Sequence, residues 1–148
     1  MSYSDLSIKK QDPNAINPKS IFANNARTGA SSTPGKAMGT FTGDVWLDSV
    51  LRADNISVAN VNFTPCARTN WHRHDGGQLL KITGGSGWIC DRGSEPRRIT
   101  VGDVVWCPPG AIHWHGADDA SFMVHEAVSY GKIDWYEPVK DEEYAAKK

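Results

Sequence analysis

From about Thr40 onward the chain alternates short apolar runs with turn residues. The runs include Val45-Trp46-Leu47, the stretch from Ile56 to Phe63, Leu79-Leu80-Lys81-Ile82, Gly87 to Cys90, Val104 to Cys107, and Phe122 to Val128. Between them fall Asp75-Gly76-Gly77, Gly84-Gly85, Asp91-Arg92-Gly93, Val101-Gly102-Asp103 and Pro108-Pro109-Gly110. Many short strands split by Gly and Pro predict an all-β sandwich or barrel. No stretch with a 3.6-residue period precedes the tail, where Lys140-Asp141-Glu142-Glu143 predicts a short solvated helix or a fray. Residues 1–36 are polar and rich in Asn, Ser, Lys and Pro, which reads as an arm. The expected organisation is an N-terminal arm over 1–36, one β-barrel over 37–140 and a C-terminal tail over 141–148.

Composition narrows the class. A chain of 148 residues with 39% hydrophobic content can build a core without disulfide staples. Sixteen basic and 17 acidic residues leave a formal charge of −1, so neither nucleic acid nor an anionic membrane is an expected partner. No window approaches a membrane span, and the N-terminus lacks the apolar stretch of a secretion signal. The expectation is a cytoplasmic protein with a small-molecule substrate. Cys66, Cys90 and Cys107 are odd in number and widely spaced, so each is expected to be a buried or half-buried free thiol.

The five histidines carry the chemistry. His72 and His74 form one HxH pair and His113 and His115 another, with His125 in the last strong run. Residues i and i+2 of a strand share a face, so each pair presents two imidazoles to one side. Trp71, Arg73 and Trp114 should point the other way. A single HxH is a weak signal, but Gln78 follows across a turn, and His113 follows a rigid Pro-Pro-Gly turn.

Two separated spacings resemble the cupin superfamily. The first is His72-Arg73-His74, three residues, Gln78, six residues, Gly85. The second is Gly102, five residues, Pro108-Pro109-Gly110, two residues, His113. The likeness runs from about residue 40 to 138. Gln78 stands where most cupins have Glu, and Ala117 where many have Asn. Together with Gly43, Ala67-Arg68-Thr69, Trp71 and the segment His113 to Ala117, the Gln is similar to one group of small bacterial cupins. That group includes the manganese-dependent hydroxynitrile lyases and relatives of carboxymuconolactone decarboxylase. The resemblance implies a double-stranded β-helix, or jelly-roll barrel. It also implies one divalent metal, manganese or iron, held by His72, His74, Gln78 and His113. It further implies a homodimer or homotetramer.

Three imidazoles and an amide oxygen suit any of several first-row divalent ions. The absence of a thiolate argues against a structural zinc site. A neutral ligand set leaves the ion's charge uncompensated and favours Lewis-acid chemistry. His115 and His125 are the candidate proton carriers. His115 reads best as a residue that orients a neighbouring ligand. For His125 two readings stand open, a general base or a buried hydrogen-bonded histidine. Ala59, Val61 and Phe63 alternate on one strand as expected pocket walls, and the resemblance implies that Ala59, Val61 and Ser129 shape the pocket; for Phe63 plain core packing is at least as good a reading. The tryptophans Trp71, Trp88, Trp106 and Trp114 are expected in barrel-exterior packing or subunit contact. Three functions follow: a metal-dependent lyase or acid–base enzyme on a small hydroxy or carbonyl compound, a metal-dependent dioxygenase, and a non-catalytic small-molecule-binding module. Gln78 favours the first, since a neutral ligand supports high oxidation states poorly.

Overall fold

The computed structural model describes residues 8–23 and 32–147. Residues 8–23 contain neither helix nor strand. The remainder forms β1 (Ser32–Pro34), a 3-10 turn (Gly35–Met38), β2 (Phe41–Thr42), β3 (Val45–Ala53), β4 (Ile56–Phe63), β5 (Arg68–Thr69) and β6 (His72–His74). There follow β7 (Gln78–Asp91), β8 (Arg97–Thr100), β9 (Val104–Cys107), β10 (His113–Ala117), β11 (Met123–Tyr130), β12 (Ile133–Trp135) and α1 (Asp141–Ala145). Every strand pair is antiparallel. The strands curl into an antiparallel β-barrel, one of the two architectures that the alternating pattern predicts.

One strand joins the two halves. The first residues of β7, Gln78–Lys81, pair with β11 and β9, while Ser86–Ile89 pair with β8 and Gly87–Asp91 with β10. The strand turns its corner at Gly84-Gly85, beside a register shift that leaves Thr83 unpaired. Gly85 has φ +66°, and a Cβ there would lie 1.8 Å from the Phe122 carbonyl oxygen. Only glycine satisfies both conditions. Strand alternation then fills the barrel: Leu80 and Ile82 from β7, Phe63 from β4 and Met123 from β11 are all buried in one cluster. Deleting a side chain of this kind costs about 2–5 kcal/mol.

A second apolar cluster lies on the outside. Trp71, Trp88, Cys90 and Trp114 pack with Val139 and Tyr144. The C-terminal segment therefore covers this face, and these three tryptophans are sealed within the chain itself. The tail is docked through Val139, Tyr144 and Lys147. Tyr144 donates its hydroxyl hydrogen to the Ala117 carbonyl at 2.7 Å, and the Arg68 guanidinium donates to the Val139 carbonyl at 2.9 Å and to Asp141 at 2.7 Å. The sheet also begins earlier than the composition indicated. β1 pairs Thr33 and Pro34 with Leu47 and Trp46, inside the span read as polar arm. A polar sequence can pair as an edge strand because backbone groups make the ladder. Cys90 and Cys107 are buried free thiols, but Cys66 is exposed, at a left-handed position with φ +69°. Among the described residues no helix is long and apolar enough to cross a membrane.

Candidate metal centre and acid–base site

The barrel interior brings four of the predicted residues to one point. β6 carries His72 and His74 on one face, as alternation requires, and β10 sets His113 directly opposite His72 in register. The His72 and His74 side chains are buried inward, whereas Arg73 points out and pairs with Asp134 at 2.9 Å. The chain then turns through Gly77, whose φ is +87° and whose Cβ would strike the Trp106 ring at 2.5 Å. That turn brings Gln78 back toward His74. His113 follows the Pro108–Gly110 turn, which is tied to β6 by the Gly110 N–H donating to the His74 carbonyl at 3.0 Å.

The ring orientations follow from local hydrogen bonds. His72 Nδ1 lies 2.9 Å from the Asn70 carbonyl and His113 Nδ1 lies 3.0 Å from the Ala111 carbonyl. A carbonyl can only accept, so each Nδ1 carries the hydrogen and each Nε2 keeps its lone pair. The Gln78 amide is set in the same way. Its nitrogen donates to Ser129 Oγ at 3.0 Å, which aims Oε1 at His113 Nε2, 3.3 Å away. Both ring nitrogens of His74 are buried without a hydrogen-bond partner among the described residues. Candidate ligand atoms of His72, His74 and His113 all lie within 4.8 Å of one another. Buried lone pairs converging with no donor among them are costly unless a cation takes them. The donor set thus fits a divalent ion: three imidazole nitrogens and one amide oxygen.

Electrostatics keep the cluster ready. Burial and the neighbouring His113 hold His72 well below the ordinary imidazole range. Burial and His113 bring His74 down to about 4, and burial alone dominates the lowering of His113. All three rings are neutral near neutral pH, which is the ligating form.

Behind this cluster lies a second histidine pair. His125 Nε2 and His115 Nδ1 are 3.0 Å apart, so one donates and the other accepts. Both rings are fully buried; burial and His125 hold His115 well below its ordinary range, and burial brings His125 down to about 4. His115 Nε2 and His125 Nδ1 have no partner among the described residues. His115 stacks on His113 with ring centroids 5.6 Å apart and meets His72 edge-on at 5.1 Å. The pair thus touches the candidate ligands on one side.

A cavity of about 320 Å³ opens onto this site. Its lining includes His72, His74, Gln78, His115 and His125, with Ala59, Val61 and Ser129 from the expected walls. Phe63 does not reach it. That ring lies in the core, against His115 at 5.9 Å and His125 at 5.3 Å, where it supports the histidine pair. Residues that sequence reasoning missed complete the wall. Trp135 lies 4.7 Å from the His72 ring and faces the cavity, because β12 pairs Trp135 with His72. Leu47, Thr69, Ile133 and Arg52 also line it. Strand β12 is three residues long and carries no legible alternation, so nothing in the sequence marked Trp135 or Ile133.

Comparison with known proteins agrees with this architecture. Residues 64–130 match the family described as the AraC-like ligand binding domain. Over 111 residues, 70% of this chain and 85% of the relative, the sequence is 44% identical to the (R)-mandelonitrile lyase of Granulicella tundricola. The crystal structure of a cupin-like protein from Thermotoga maritima superposes with a TM-score of 0.72 at 39% identity, covering 74% of this chain and 90% of that one. A predicted oxalate decarboxylase from the same organism gives 0.62 at 20% identity, over 69% of this chain and 93% of that one, a likeness of fold alone. The chain belongs to the cupins, as a small member of the group that resembles the hydroxynitrile lyases.

Proposed function

We propose that the protein is a metal-dependent lyase or acid–base enzyme acting on a small hydroxy or carbonyl compound, with hydroxynitrile cleavage as the nearest model reaction. The observation that carries this reading is the meeting, in one cavity, of a neutral donor set and a buried neutral histidine pair. His72, His74, Gln78 and His113 would hold a divalent ion, manganese or iron by resemblance. When bound, that ion supplies Lewis acidity toward a substrate oxygen. The chain's own residues do the rest. Ser129 fixes the Gln78 amide so that its oxygen faces the cluster. His125, depressed by burial, is neutral and able to take a proton, and His115 at 3.0 Å can share it. Ala59 and Val61 leave room above the site, while Trp135 and Leu47 exclude water from one side. A role in C–C cleavage, decarboxylation, dehydration or isomerisation uses the same proton transfer.

The test is elemental analysis of the purified protein, followed by cyanohydrin cleavage with added manganese or iron under argon. Roughly one metal per chain and anaerobic activity are expected. Oxygen consumption in step with turnover would instead support the dioxygenase. Unchanged metal content in a His72→Ala, His113→Ala double variant would remove the site altogether. The match to a ligand-binding domain favours a second reading, a non-catalytic binding module. That reading gains if the metal is bound but no proton-transfer reaction is found.

We also propose that the chain works as a homo-oligomer. An apolar row crosses the outer face of one sheet: Leu51, Val58, Val128, Leu79 and Trp106 stand side by side on β3, β4, β11, β7 and β9. Trp106 is 52% exposed.

A further inference from the structure

The inner face of the same sheet carries a different row. Arg52 on β3 is paired with Ser57 on β4, Ser57 with Ser129 on β11, and Ser129 with Gln78 on β7. Residues opposite one another in antiparallel strands share a face. Ser57 lies two residues from Ala59 and four from Val61, both cavity residues, so Arg52 stands on the cavity side. Plain alternation would not put it there. Leu47 and Ser49 line the cavity, and an unbroken strand would continue through Leu51 and Ala53, turning Arg52 outward. The register of β3 on β4 shifts between Ser49 and Leu51, leaving Val50 as an extra residue. This β-bulge reverses the alternation. It sends Leu51 outward to the apolar row and Arg52 inward to the cavity mouth. Bulges beside binding sites commonly re-aim a side chain in this manner.

The charge balance of the cavity gives the re-aimed residue its meaning. Arg52 is the one formally charged side chain among the described lining residues, which include no Asp or Glu. The candidate ligand set at the far end, three histidines and a glutamine, contributes no carboxylate. Nothing in the wall therefore answers a positive charge at either end. Arg52 is exposed and its guanidinium presents five donors in the fork that matches a carboxylate. We propose that Arg52 holds the carboxylate of an anionic substrate, whose reacting oxygen lies at the imidazole cluster. The substrate class is a small hydroxy or oxo acid laid along the Arg52–Ser57–Ser129–Gln78 row. The row spans three strand spacings, ~14 Å between its end backbones, and the two end side chains reach inward to shorten that gap. This assignment rests on the function proposed above, and it narrows the substrate from hydroxy and carbonyl compounds in general to those that carry a carboxylate.

The test is calorimetric titration of the metal-loaded protein with glycolate, 3-hydroxypropanoate, 4-hydroxybutanoate and 5-hydroxypentanoate, each against its uncharged primary amide. One member of the series is expected to bind about tenfold tighter than its amide. In Arg52→Gln that preference disappears while the amide binds as before. Arg52→Lys is expected to restore part of it. Arg52 is exposed, so neither variant threatens the fold. An undiminished preference in Arg52→Gln, or no preference in the unmodified protein, overturns the proposal. Repeating the titration on metal-free protein separates the two claims. If elemental analysis finds no metal, the proposed reaction fails, while the Arg52→Gln comparison still judges the carboxylate site.

Discussion

At the scale of single residues, the site depends on a few hydrogen bonds that decide which atom faces where. Gln78 is the clearest case. An amide presents an oxygen or a nitrogen at nearly equal cost, and only the oxygen can ligate. Ser129 Oγ takes the amide hydrogen and so fixes the choice. Removing such a supporting partner typically weakens metal affinity by 10–100-fold. Ser129→Ala is therefore expected to lower affinity for manganese by about tenfold, read by titration against a competing chelator, with little change in thermal stability. Equal affinity in the variant would show that the amide needs no such anchor. The Asn70 and Ala111 carbonyls play the same part for His72 and His113. The thiols stand apart from the chemistry: burial pushes Cys107 up to about 12, which leaves it an inert core residue.

At the scale of elements, two features organise the molecule: the bent strand β7 and the docked tail. Strand β7 lets one segment supply Gln78 to the site and Trp88 to the outer cluster. The tail closes that outer cluster. Helix α1 is only five residues long and would not persist alone, since isolated short helices are marginal in water. It is held by Tyr144, whose ring packs against Trp114 at 5.8 Å and under the Arg68 guanidinium at 4.5 Å. Tyr144→Ala should cost about 3 kcal/mol and expose Trp114 to water. A red shift in tryptophan emission and an earlier urea midpoint are the expected readouts. An unshifted midpoint would mean that the tail adds nothing to stability. Trp114 sits on the strand between His113 and His115, so this variant is also expected to loosen the site from behind.

At the scale of the whole molecule, five imidazoles share one interior, and their burial has a cost that depends on pH. In the unfolded chain each titrates near its ordinary value of about 6.5. In the fold His74 and His125 titrate at about 4, and the other three are also lowered. Between these values the unfolded chain binds more protons. The stability from neutral burial is complete above about pH 6.5 and is lost as the pH falls toward 4. Each such group steepens the loss by about 1.4 kcal/mol per pH unit in that window. Urea midpoints of the metal-free protein should fall steeply from pH 7 to pH 5. A flat profile would place the histidines in contact with water. The proposed assembly belongs to this scale as well. Sedimentation equilibrium is expected to give two or four times the 16.2 kDa chain mass, reduced by Trp106→Glu. A monomeric mass at micromolar concentration would leave the outer apolar row without the proposed use.

The sequence by itself determined the barrel and the nucleus of the site. Alternation placed His72 with His74 and His113 with His115, and two spacings bounded by turns brought them near Gln78. These are local properties: a period of two and a few glycines needing positive φ survive in any reading of the chain. Alternation along β11 also turns Met123, His125 and Ala127 to the buried side. Tertiary structure decided what local pattern could not express. Phe63 became a support behind His115 and His125, because depth within the barrel depends on how the strands curl. Trp71, Trp88 and Trp114 were sealed by a tail that returns from far along the chain. Trp135 entered the wall through a three-residue strand whose partner alone defines it. Arg52 faces the cavity only because one extra residue at Val50 shifts the register, and an inserted residue in a ladder is visible only once both strands are paired.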